Sequence, residues 1–145
     1  MLYELISVVR PGSIREAKDI ARTAGTIILQ RGGVVRGLTN WGVFALPKPM
    51  RASAGAQKHH AGQYFIMRFD ASAKAQDTMK AMLKMEPRLL RFSVVKLGHT
   101  LKHISNVGGQ AEEWSWQEGS RGSKWVSEVD EATPQGRNEG LGFDK

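Results

Sequence analysis

Apolar and polar positions alternate, then wind, then alternate again along this chain. Leu2 to Val9 (LYELISVV) is dense in β-forming residues and stops at Arg10-Pro11-Gly12, a turn signal, which predicts a first strand. Ser13 followed three residues later by Glu16 has the spacing of a capping box. Ile14, Ala17, Ala21, Ala24 and Ile28 then recur at steps of three and four, one face of a helix. Arg31 falls in its last turn and Gly32-Gly33 ends it, because glycine accepts the left-handed backbone of a helix cap.

Val34 to Pro47 (VVRGLTNWGVFALP) reads as a second strand, with a bulge or bend expected at Asn40-Trp41-Gly42. Residues 48–62 lack any period and read as a loop. Gln63 to Asp70 (QYFIMRFD) alternates: Phe65, Met67 and Phe69 fall on one face and Tyr64, Ile66 and Arg68 on the other. The first row is the expected core row. Ser72 can cap a second helix with an apolar stripe of Ala75, Met79, Met82 and Leu83, ending at Glu86-Pro87. Leu89 to Leu97 (LLRFSVVKL) is a last strand, and His99 to Val107 a short helix or extended arm.

This order, βαββαβ, predicts an α+β fold of ferredoxin-like split-βαβ type. Two helices would cover one face of a four-stranded antiparallel sheet, leaving the other face free for a partner. Residues 1–107 form the predicted domain. Residues 108–145 form a C-terminal extension with seven glycines and no period. Such a segment is expected to be disordered alone and to order on a partner, with Trp114, Trp116 and Trp125 as anchors.

Charge sharpens the picture. Through Val107 there are 17 Lys and Arg against 6 Asp and Glu, an excess of 11 positive charges; from Gly108 on the balance is 4 against 8. A body this basic attracts polyanions, nucleic acid above all. No basic amphipathic helix with exposed aromatics favours a lipid surface, and no apolar run is long enough for a membrane span. No signal or transit peptide is visible, because strand-like sequence begins at once. The absence of cysteine excludes disulfides, thiolate metal sites and a cysteine nucleophile.

The candidate RNA contacts are Arg51, Lys58, His59 and His60 in the predicted loop, Arg68 on the free sheet face, and Arg88, Arg91 and Lys96 on or before the last strand. Each could neutralise a phosphate. Tyr64 on the free face is a candidate for partner contact, and packing explains it better than base stacking. The third strand, Gly62 to Phe69, departs from the RNA-recognition pattern [KR]-G-[FY]-[GA]-[FY]-V-x-[FY], so a free single-strand RNA-binding module is the alternative reading. His99 and His103 stand at i and i+4 with no carboxylate between them and make a poor metal site. Arg10 and Asn40 superficially resemble an acylphosphatase site. The turn after Arg10 contains Pro11, which removes a backbone donor, and no glycine-rich phosphate loop follows. No catalytic constellation, cofactor site or small-molecule site is expected, and the six methionines fit core filling.

An ordered set of short motifs resembles the family of small-subunit ribosomal protein six. These are Tyr3-Glu4, Gly32-Gly33-Val34-Val35, Asn40-Trp41-Gly42, Ala45-Leu46-Pro47, Gly62-Gln63-Tyr64-Phe65, Leu90-Arg91-Phe92 and Val94-Val95-Lys96. They span about Leu2 to Leu97. Val43 and Phe44 stand where bacterial members tend to carry paired basic residues. The segment 45–62 looks more like mitochondrial members, which implies a mitochondrial location, with the bacterial cytoplasm as the alternative. The resemblance implies a non-enzymatic constituent of the small ribosomal subunit without a cofactor. Such a protein binds small-subunit rRNA jointly with ribosomal protein eighteen, meets other small-subunit proteins and supports platform assembly.

Overall fold

The computed structural model describes residues 1–52, 55 and 57–111; the tail from Glu112 on, with its three tryptophans, lies outside the described residues. The elements are β1 (Leu2–Val9), α1 (Ile14–Gln30), β2 (Val34–Arg51), β3 (Lys58–Asp70), α2 (Ala73–Met85), β4 (Leu89–Gly98) and α3 (Leu101–Ser105). The four strands form one antiparallel sheet in the order β2-β3-β1-β4. This is the predicted ferredoxin-like arrangement.

Both long helices begin and end where local chemistry requires. Ser13 Oγ accepts from the Arg15 amide at 3.2 Å, and Ser72 Oγ from the Ala75 amide at 3.2 Å. Such a cap is worth about 1 kcal/mol. The expected capping box does not form: the Ser13 hydroxyl takes the Arg15 amide, the Glu16 amide goes to Ser13 O, and the Glu16 carboxylate holds Arg10 at 2.9 and 2.7 Å. At the far end of α1, Gly32 has φ 76°, its amide bonds to Leu29 O and the Gly33 amide to Ile28 O. That paired pattern satisfies two carbonyls that the helix leaves open.

The predicted rows meet in the core. Phe65, Met67 and Phe69 lie opposite Ser7, Leu5 and Tyr3 of β1, and all six are buried. Ile20, Ala24 and Ile28 of α1 and Ala75, Met79 and Leu83 of α2 close over them in one cluster. Not every methionine fills the core: Met85 is 84% exposed at the end of α2.

Two expectations about the sheet need correction. Residues 48–62 are not a loop in the main, since β2 runs on to Arg51 and β3 starts at Lys58. β1 ends opposite Gln63, so the two strands continue past it as a two-stranded ribbon. Apart from Gly62 the ribbon's residues are exposed or half-buried, and without a regular buried row there is no hydrophobic alternation to read. Its pairing jumps from Ala45↔Ala61 to Met50↔His59, a wide bulge at residues 46–49. Pro47 and Pro49, lacking amide protons, cannot hold a ladder there. The bulge expected near Gly42 is also present, with the register shifting between Asn40 and Gly42 and Gly42 at φ 93°.

The second correction concerns the sheet face turned away from the helices. It is not free throughout. After β4 the chain turns through α3 and returns across this face as far as Ala111, which is buried. Arg36 of β2 donates to Ile104 O at 3.1 Å, and Arg68 of β3 donates to Gly108 O and Gln110 O at 3.1 and 2.7 Å.

Candidate nucleic-acid and protein interface

The ribbon gathers much of the candidate set. Arg51 and Lys58 stand directly opposite each other across it, and both are exposed. Directly opposed residues bring their Cβ atoms within about 4.5–5.5 Å, and two like charges there repel. His60 is exposed and His59 half-buried on the same strand. Between Val43 and Gly62 there is no Asp or Glu. Lys48, exposed on the bulge between the two prolines, belongs to this group although the sequence reading passed over it. Its signal was available: a basic residue flanked by prolines cannot retreat into a ladder. Below the ribbon lies a cleft of about 560 Å³ lined by Arg10, Glu16, Gln57 and His59 among others.

Strand β4 splits its basic residues. Arg91 pairs with Val8 on the face away from the helices, whereas Lys96 pairs with Tyr3 on the helix side. Alternation of side chains makes the two unable to touch one flat ligand. Both are exposed.

The remaining two arginines are engaged. Arg88 forms a double hydrogen bond to Glu86 at 2.7 and 3.0 Å. Arg68 binds Glu4 at 2.7 Å, with the two side chains 18% and 17% exposed, besides holding the returning arm. It is therefore far less available to a phosphate than its place on the sheet suggested. The hydrogen bond from Arg88 holds the Glu86 carboxyl below the usual carboxylate range. That from Arg10 does the same for Glu16.

Tyr64 is half-buried, with its ring edge-on to Phe44 at 5.5 Å. It also packs with Leu46 against Val8, Ala52 and Leu90. Burial pushes its phenol pKa up. A ring held this way belongs to a small apolar patch at the ribbon end of the sheet, and it is poorly placed to stack flat on a base. His99 and His103 sit with ring centroids 6.1 Å apart, and no group of three metal-ligating side chains exists among the described residues.

Comparison with known proteins agrees with this layout. The family model for ribosomal protein S6 matches residues 2–96. The small ribosomal subunit protein bS6m of Neurospora crassa is 48% identical over 109 residues, covering 74% of this chain and 92% of that protein. Mouse bS6m is 31% identical over 96 residues, covering 65% and 74%. Bacterial bS6 of Geotalea daltonii is 28% identical over 97 residues, covering 66% and 71%. The crystal structure of 30S ribosomal protein S6 from Thermotoga maritima superposes with a TM-score of 0.55 at 16% identity, covering 65% of this chain and 84% of that one, which supports the fold. With a family model spanning the whole sheet-and-helix body and a mitochondrial relative at nearly half identity, the chain belongs to the ribosomal protein S6 family, as a mitochondrial and non-enzymatic member.

Proposed function

We propose that this protein is a structural constituent of the small subunit of the mitochondrial ribosome that binds small-subunit rRNA through its β2–β3 ribbon and Arg91. The observation that carries this reading is the opposed Arg51–Lys58 pair on a ribbon with no carboxylate. Two like charges face to face cost stability unless an anion lies between them, and a phosphate backbone supplies one. Lys48, His59 and His60 add to the same basic surface, whereas Lys96 stands on the helix side of β4 opposite Tyr3, away from the ribbon. Contacts of this kind position the RNA by its backbone and read its shape rather than its sequence.

The patch of Val8, Phe44, Leu46, Tyr64 and Leu90 is the complementary protein-facing element, and ribosomal protein eighteen is the partner the family resemblance implies. The acidic tail, with Trp114, Trp116 and Trp125, is a protein-docking segment in this reading, because its charge opposes phosphate. A free single-strand RNA module would need stacking aromatics on the open face. Tyr64 packs on Phe44 instead, and the returning arm occupies the other end of that face.

A tagged chain expressed in cells should co-sediment with the small ribosomal subunit in a sucrose gradient and shift to the top after ribonuclease treatment. Sedimentation only as free protein would reject the reading.

A further inference from the structure

Between Glu86 and Glu112 the chain carries no Asp or Glu, against four Lys and Arg and two His. Three of these basic residues, His99, Lys102 and His103, fall on or beside α3, and all three are exposed. They stand at the far end of the sheet from the ribbon. Gly98, just before His99, lies opposite Leu2, and Leu2 lies opposite Asp70, the last residue of β3, whereas the ribbon starts at Lys58, its first. The 13 residues of β3, at about 3.3 Å each, put roughly 40 Å between the two ends.

α3 has five residues and none of them is buried. A helix that short has no stability of its own in water. It is held from a distance instead. Arg36 donates to Ile104 O and Val107 O at 3.1 and 3.5 Å, and Arg68 to Gly108 O and Gln110 O at 3.1 and 2.7 Å. A Cβ on Gly98 would meet His103 Cβ at 3.1 Å, and one on Gly37 would overlap Gly109 O, so only glycine on β2 lets the chain cross there. The same two arginines neutralise the carboxylates of this end, Arg36 on Asp70 and Arg68 on Glu4. The charge of α3 is left uncompensated. Neither His99, Lys102 nor His103 has an ion-pair partner among the described residues, and Lys96, exposed on the other face of β4, adds to the field there. The rings of His99 and His103 stand edge-on with centroids 6.1 Å apart, which puts two imidazoles beside one another next to the Lys102 ammonium.

We propose that His99, Lys102 and His103 form a second RNA-backbone contact, positioned by the Arg36 and Arg68 clamp, so that the protein grips rRNA at two points about 40 Å apart. This inference rests on the reading of the ribbon as an rRNA contact and adds a separate site to it. The apolar patch of Val8, Tyr64 and Leu90 lies between the two, at the ribbon end of the sheet, so the basic surface is interrupted rather than continuous. The clamp gives the second site its use. A loose arm would lose its conformational freedom on meeting RNA, and that loss would offset the phosphate contacts; an arm already pinned on folding presents them without it.

The chain has no cysteine, so one introduced cysteine can carry an iron chelate at a single place. Full-length Gln57→Cys, Ser105→Cys and Ala81→Cys chains put the chelate beside the ribbon, on α3 and on α2; all three positions are exposed, and every basic residue stays in place. Bound to small-subunit rRNA, the chelate should cleave one set of nucleotides from position 57, a second and separate set from position 105, and none from position 81. Lys102→Gln should lower the slope of log affinity against log salt by about 0.7–0.9. Arg68→Met should scatter the cuts made from position 105 and leave those from position 57 unchanged. Cuts from 57 with none from 105, or an unchanged slope in Lys102→Gln, overturn the second contact and leave the ribbon standing. Cuts from 105 alone refute the ribbon, and with it a grip at two points. Cuts from neither refute the RNA reading and this inference together. Equal cutting from position 81 overturns the grip as a localised one, and undisturbed cuts from 105 in Arg68→Met overturn the positioning role of the clamp.

Discussion

Replacing Arg51 and Lys58 together by Gln should lower RNA affinity and raise the stability of the protein at low salt. Both side chains are exposed, they face each other across the ribbon, and neither has an ion-pair partner among the described residues. If each neutralises one phosphate, each contributes about 0.7 (single strand) to 0.9 (duplex) to the slope of log affinity against log salt. The double variant should therefore flatten that slope by about 1.4–1.8. Between 50 and 200 mM salt the parent would lose about 7- to 12-fold more affinity than the variant, from these two residues alone. Stability should move the other way, because relieving two directly opposed like charges returns roughly 0.2–1 kcal/mol, most of it at low ionic strength. Fluorescence anisotropy with a labelled small-subunit rRNA fragment over a salt series gives the slope, and urea unfolding at low salt gives the stability. An unchanged slope would refute the ribbon as a phosphate contact. A variant less stable than the parent would refute the reasoning in another way, by showing that the pair is held by contacts other than an anion's.

Phe69→Ala should cost about 3–5 kcal/mol in urea unfolding, because the ring is fully buried and stacked on Tyr3 at 5.6 Å; a cost under about 1 kcal/mol would mean the core closes differently. Ser7→Ala should stabilise the protein by about 1 kcal/mol, since its hydroxyl is buried without a hydrogen-bond partner, and a loss of stability would expose an unseen partner. The Glu86 carboxyl, held below its ordinary range by the hydrogen bond from Arg88, binds its proton less readily in the folded than in the unfolded chain. Its contribution is present above the ordinary carboxylate range and is lost as pH falls through the lower folded value, so Glu86→Gln should make the acid limb of a stability–pH curve shallower. A chain ending at Ala111 should melt cooperatively at the temperature of the full chain, whereas one ending at Val107 should lose the Arg68 clamp and melt lower; equal melting of all three would show that the arm adds nothing to stability.

Local chemistry was enough to place the framework. Ser13, Gly32, Ser72 and Pro87 bracket two helices because caps and breakers act through neighbouring backbone groups alone. Phe65, Met67 and Phe69 announced the core because a strand buried on one side repeats every second residue. The +11 body pointed to a polyanion for the same kind of reason, since net charge needs no coordinates. Which arginine is available was a different matter. Arg68 and Arg91 read alike along the chain, yet one is spent on Glu4 and two distant carbonyls and the other is exposed. The ribbon escaped notice because strands that bury no regular row carry no period, and the opposition of Arg51 to Lys58 exists only once the two strands pair. The arm over the open face escaped for a related reason. Its anchors, Arg36 and Arg68, lie 68 and 40 positions from the carbonyls of Ile104 and Gly108 that they hold. Periodicity and capping report only what neighbours along the chain do to one another; contacts across such separations are decided when the sheet assembles and brings the partners together.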